Sequence, residues 1–188
     1  MNVLAAIKVT PTAVILNGKQ LETEKTGDAL LTECYRGSHA DYPKYFKMDG
    51  MCRLGFVASE LLLQSVNEER FVPREDRAVI LASHHGCLST DRNYQQTIQD
   101  KDNYFPSPAL FVYTLPNIVT GEIAIRNKYL GETSMYLIEE DEQVREEQMC
   151  RLEQMTFLDP ITRSALIGWV DYENNDHFEA TLKLVSIE

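Results

Sequence analysis

The sequence predicts an α/β fold built on a mainly parallel sheet, and three observations carry that expectation. The segment Arg77-Ala78-Val79-Ile80-Leu81-Ala82 is an almost continuous apolar run between a Pro-containing loop and the polar SHHG, which suits a strand covered on both faces. Behind Asp49, the segment GMCRLGFVASELLLQSVNEE repeats Leu54, Val57, Ala58, Leu61, Leu62 and Val66 at helical spacing. Segments of these two kinds alternate along the chain, the order that βαβ units produce, with right-handed crossovers set by chain chirality.

Taken in order, Val3 to Val9 is a short apolar run closed by Thr10-Pro11 and reads as a first strand. Residues 12 to 23 read as a hairpin around Asn17-Gly18, a pair suited to a tight turn with positive φ. From Gly27 to Tyr45 the pattern is irregular and rich in Tyr, Gly and Ser, and reads as a short helix followed by loop. The Asp49-capped helix and the strand from Arg77 follow. A polar helix is expected from about Ser89 to Asp100, then a loop through DNYFPSPA. Ile118, Val119, Ile123 and Ile125, with Pro116 at the start where a missing N–H is tolerated, predict an amphipathic helix from about Leu115 to Lys128.

Thr133 to Ile138 is the next strand. EDEQVREEQMCRLEQM predicts a charged helix with a narrow apolar stripe of Val144, Met149, Leu152 and Met155, and Arg163 to Val170 a further buried strand. The last strand, Phe178 to Ile187, alternates Phe178, Ala180, Leu182 and Leu184 with polar neighbours. Joined to its predecessor by the polar YENNDH, it should run antiparallel.

Composition narrows the function. At 188 residues, 44% apolar and 25% charged, the chain has the size and make-up of one globular domain spanning residues 1–188. A net charge of -11 disfavours a nucleic-acid partner, which needs clustered Lys and Arg, and opposes an acidic carrier protein unless the basic residues are grouped. No apolar run approaches the roughly 18 to 20 residues that span a bilayer, and MNVLAAIKVTP lacks the regions of a signal peptide. Cys34, Cys52, Cys87 and Cys150 are scattered without paired spacing, as free thiols in a reducing compartment are, so a cytoplasmic protein without metal or cofactor is expected.

Three segments carry a family resemblance. FPSPALFVYTLPNIVTGEIAIRNKYLGET, residues 105 to 133, resembles the β-ketoacyl synthase stretch that leads to the nucleophile strand. DYPKYFKMDGMCRLGFVASELLLQS and RAVILASHHGCLSTD are similar to the preceding helix and second strand of that family, particularly its chain-length-factor-like members of bacterial aryl-polyene and polyketide pathways. The three agree in order and spacing. The resemblance implies one half of the thiolase-like fold, the N-terminal one: βαβαβαββ, a mixed five-stranded sheet and helices on both faces.

In that family the strand ends at an elbow that carries a reactive Cys on the first turn of the next helix, where the helix dipole lowers the thiol pKa. Counted from Gly131, the nucleophile position falls at Glu140 or within a residue of it, and no Cys, Ser or Thr lies between Glu139 and Glu142. The two catalytic histidines of the family belong to its other half, for which 188 residues leave no room. The resemblance therefore implies the fold without the activity. Charges at Glu139, Glu140, Asp141, Glu142, Arg145, Glu146, Glu147, Arg151 and Glu153 ring the following helix, which should face water as it would in a half-unit.

Other residues invite sharper readings. Cys87 beside His84 and His85 offers a Cys-His nucleophile or a metal site, although the three follow a strand end and show no third partner; packing there is the plainer role. The Glu139–Glu142 run with Glu146 and Glu147 matches no calcium loop and reads as a solvated face. Asn117 reads as a helix cap, Glu122 as a solvated carboxylate, Cys150 as packed under its helix and Trp169 as core.

The expected function is that of a non-catalytic ketosynthase-like subunit of acyl-chain assembly. Its partners would be a second copy or a full-length ketosynthase, with an acyl carrier protein as a further partner. The resemblance places the pairing surface on the strand Thr133, Met135, Tyr136, Leu137, Ile138. The alternative is a 3-oxoacyl-carrier synthase or acyl thioesterase with a relocated nucleophile such as Cys87.

Overall fold

The computed structural model describes residues 1–187. Seven strands form one mixed sheet: β1 (Asn2–Thr10), β2 (Ala13–Leu16), β3 (Lys19–Gln20), β4 (Arg77–Ser83), β5 (Thr133–Leu137), β6 (Ser164–Asn174) and β7 (His177–Ser186), in the spatial order β3-β2-β1-β7-β6-β4-β5. β4 is flanked by β5 and β6, both parallel to it, while β6, β7, β1, β2 and β3 pair antiparallel in succession. The expected five strands are therefore corrected to seven. Asn17 and Gly18 both adopt positive φ (51° and 78°), folding 13–16 back onto β1 so that Ile7 faces Leu16, and the hairpin extends the main sheet. Burial of Val14 anchors it.

Six α-helices cover the sheet: α1 (Gly27–Gly37), α2 (Gly50–Gln64), α3 (Leu88–Gln96), α4 (Pro108–Val112), α5 (Ile118–Asn127) and α6 (Glu142–Thr156), with a 3₁₀ turn at Pro43–Lys47. α2 starts as its sequence predicts, with the Cys52 N–H donating to Asp49 Oδ1 at 2.8 Å. It is buried along most of its length between the sheet and its neighbours α1 and α5. Two boundaries differ from expectation. α5 begins at Ile118 rather than Leu115, and α4 lies where loop was expected, started by Pro108 and a Ser107 cap that accepts from the Leu110 N–H. Five residues are too few to display a helical period.

β4 shows why its sequence is nearly all apolar. Val79 and Leu81 face the large core under α1, α2 and α5, while Ala78 and Ile80 face the opposite side, where Ala165, Ile167 and Val185 lie under Met149, Leu152 and Phe157. Helices thus lie on both faces, with α6 over β4 and β6 on the second. Phe157 replaces Met155 in the apolar stripe of this helix, and Met155 is 60% exposed. Most α6 charges face water as anticipated, with two exceptions: Arg145 lies over the Trp169 ring at 4.9 Å, and Glu153 is buried in an ion pair with Lys183. Cys150, expected under the helix, is exposed. Among the described residues no helix is long and apolar enough to cross a membrane.

Candidate functional site

In sheets with parallel strands, ligands gather beyond the carboxyl ends, where the loops diverge. Here those ends belong to β4, β5 and β6. β4 finishes at Ser83 and turns through His84, His85 and Gly86, whose φ of 56° a glycine accepts at no steric cost. Asp171, on β6, organises the turn. Its Oδ1 accepts from the Ser83 hydroxyl at 2.5 Å and from the His84 and His85 N–H groups at 2.9 and 2.8 Å, and its Oδ2 meets His85 Nδ1 at 2.7 Å. Ser83 Oγ in turn accepts from the Gly86 N–H at 2.9 Å.

The electrostatics follow from this geometry. The hydrogen bond to Asp171, reinforced by its charge, raises the His85 pKa above the ordinary imidazole value. Burial alone would raise Asp171, but the bonds from Ser83 and His85 outweigh it and hold the carboxyl below its usual range. His84 sits edge-on to His85, with ring centroids 4.9 Å apart, and its Nδ1 lies 3.2 Å from the Ile138 carbonyl. Together with the Ile138 N–H donating to the Ser83 carbonyl, this ties the turn to the end of β5.

Of the residues marked in the sequence, the structure brings Glu140 and His85 together. Glu140 is exposed in the connection between β5 and α6, one residue before the α6 cap Asp141, and it shares with His85 and Asp171 the lining of a cleft of about 350 Å3. Cys87 takes no part in that set. Its thiol donates to the Thr114 carbonyl at 2.8 Å and lies 3.6 Å from Asp91 Oδ2. Burial, then the negative charge of Asp91, pushes it up to about 11. The start of α3 would favour a thiolate, but these two effects prevail. Among the described residues no three His, Cys, Asp or Glu side chains are grouped to hold a metal ion.

Thr133, Met135, Tyr136, Leu137 and Ile138 lie on or just beyond β5, which is the edge of the sheet. Leu137 is 61% exposed, and Ile125 and Leu130 nearby are 70% and 64% exposed. Glu122 corrects its expectation. It is buried, accepts from the Tyr42 hydroxyl at 2.9 Å and pairs with Lys44. Asn117 does hold the cap position of α5, without a side-chain capping bond. Asp171 and Ser83 were missed. A lone Asp following the apolar run SALIGWV was a usable signal for the first; for the second there was none, because Ser83 reads simply as a strand end.

No family model matches the chain, and no curated protein matches it. Solved structures do match. A structure described as the ishigamide ketosynthase/chain length factor is 15% identical, with a TM-score of 0.69 over 98% of this chain. A ketosynthase (ApeO) in complex with its chain length factor (ApeC) from Xenorhabdus doucetiae is 13% identical, with a TM-score of 0.63 over 98% of this chain and 78% of that one. A third, described as a type II PKS acyl-carrier protein in complex with its ketosynthase bound to the hexaketide, is 11% identical, with a TM-score of 0.59 over 98% of this chain and 62% of that one. The fold is therefore that of ketosynthase and chain-length-factor structures, and the chain spans 61% of the length of the first of them.

Proposed function

We propose that the chain is a non-catalytic, chain-length-factor-like subunit of acyl-chain assembly, which pairs along β5 with a second copy or with a full-length ketosynthase. The chemistry of the strand ends carries this reading. Acyl transfer needs a nucleophile and a general base within hydrogen-bond reach of each other. Here a carboxylate, Glu140, stands beside His85, and the one thiol of the region is engaged with Thr114 and raised to about 11. His85 has its Asp171 but nothing to deprotonate.

The β5 edge supplies the pairing surface. Thr133 to Ile138 contains neither Pro nor charge, and an open edge of that kind invites a further strand. An acyl carrier protein enters as a partner of the whole assembly, since a net charge of -11 opposes direct docking of an acidic carrier. Four unpaired cysteines suit the cytoplasm.

Incubation of the purified chain with acyl and malonyl thioesters tests the chemistry. Neither condensation nor hydrolysis above background is expected. Turnover that Cys87→Ala abolishes would establish the relocated-nucleophile reading instead.

A further inference from the structure

On the second face of the sheet, α6 packs over β4 and β6, while the β7 and β1 side presents Thr181 and Lys8 to solvent. The boundary between covered and open sheet is a groove of about 380 Å3, within the roughly 300–1,000 Å3 of small-molecule sites. Strand register builds its floor from two cross-strand rows, Trp169–Thr181–Lys8 and Ile167–Lys183–Ala6. Arg145 and Met149 of α6 form the wall.

We propose that this groove binds a linear amphiphile with a single anionic head, of the medium-chain carboxylate class. The floor and wall offer an apolar track along Trp169, Ile167 and Met149. Cations stand at its mouth. Lys8 Nζ lies 3.0 Å from Glu179 Oε2 and Arg145 lies 3.5 Å from Glu179 Oε1, so two cations share one carboxylate. Lys183 and the exposed Glu146 also line the groove, giving three cations against two carboxylates, a local surplus of one positive charge in a chain of net charge -11. A carboxylate head can replace Glu179 at Lys8 while its chain lies on Trp169. A cationic head meets repulsion from Lys8 and Arg145, and a polyanion meets the field of the whole molecule. This site goes beyond the pairing function and does not depend on it.

Trp169 is the only tryptophan, so its emission reports occupancy directly. Titration with sodium decanoate below its micelle concentration should shift or quench that emission saturably. Lys8→Glu, at a half-exposed position, should weaken binding roughly tenfold, the loss expected for one charge-assisted contact. Thr181→Phe should abolish it by filling the floor. The absence of a saturable response, equal binding of decanol or decyltrimethylammonium, or wild-type affinity in Thr181→Phe would each overturn the proposal.

Discussion

Asp171 holds four donors at the end of β6: the Ser83 hydroxyl, the His84 and His85 amides and the His85 ring. The signs of the two titrations follow. His85 has a folded pKa above its ordinary 6.5, so its contribution to stability is full below that value and is lost as pH rises through the folded value. Asp171 has a folded pKa below its ordinary 3.8, so its contribution is full above that value and is lost as pH falls through the folded one. The pair therefore stabilises most between about 3.8 and 6.5 and fades outside that window. Asp171→Asn should return the His85 pKa to 6.5 or below, because burial then acts on the imidazole alone. It should also cost about 2 kcal/mol of stability, since the amide presents a donor group to donors. NMR titration of the imidazole and urea denaturation check both; an unmoved His85 pKa would contradict the pairing. At this scale the sequence was least legible. Cys87 and His85 were visible as reactive types, but the partners that decide their chemistry, Thr114 and Asp171, lie 27 and 86 residues away along the chain.

Elements with a strong local signal were read well. α2 has an Asp cap and a long apolar period, and β4 is apolar on both faces because both faces are covered. α4 has neither length nor period, and β2 and β3 were seen as a hairpin without their place in the sheet, which depends on which strand accepts them. The crossing of α2 and α5 tests how tightly these elements meet. A Cβ on Gly55 would lie 2.4 Å from Val119 Cγ2, closer than any carbon contact tolerates. On an open helix surface, Gly→Ala would stabilise by up to about 1 kcal/mol. Here Gly55→Ala should instead destabilise by about 1–3 kcal/mol through overpacking, and it should cost less when combined with Val119→Ala. Chemical denaturation of the two single variants and the double variant decides the sign. A more stable Gly55→Ala would show that the helices cross more loosely than described.

The whole molecule is a mixed sheet deeply covered on one face, partly covered by α6 on the other, and open along β5. Element order was legible enough to suggest the ketosynthase-like fold. The strand count was not, because it depends on pairings between distant segments. Self-association must overcome a net charge of -11, but at physiological ionic strength charges separated by more than about 8 Å are largely screened, so burial of Leu137 with Ile125 and Leu130 should prevail locally. A closed two-fold pair would also remove the free edge. The most direct test is molar mass by light scattering for the wild type, Leu137→Lys and Tyr136→Pro, each alone and mixed with a full-length ketosynthase. The account predicts a wild-type homodimer or heterodimer that both substitutions dissociate. A wild type that stays monomeric and binds no ketosynthase, or variants that associate as well as wild type, would contradict it.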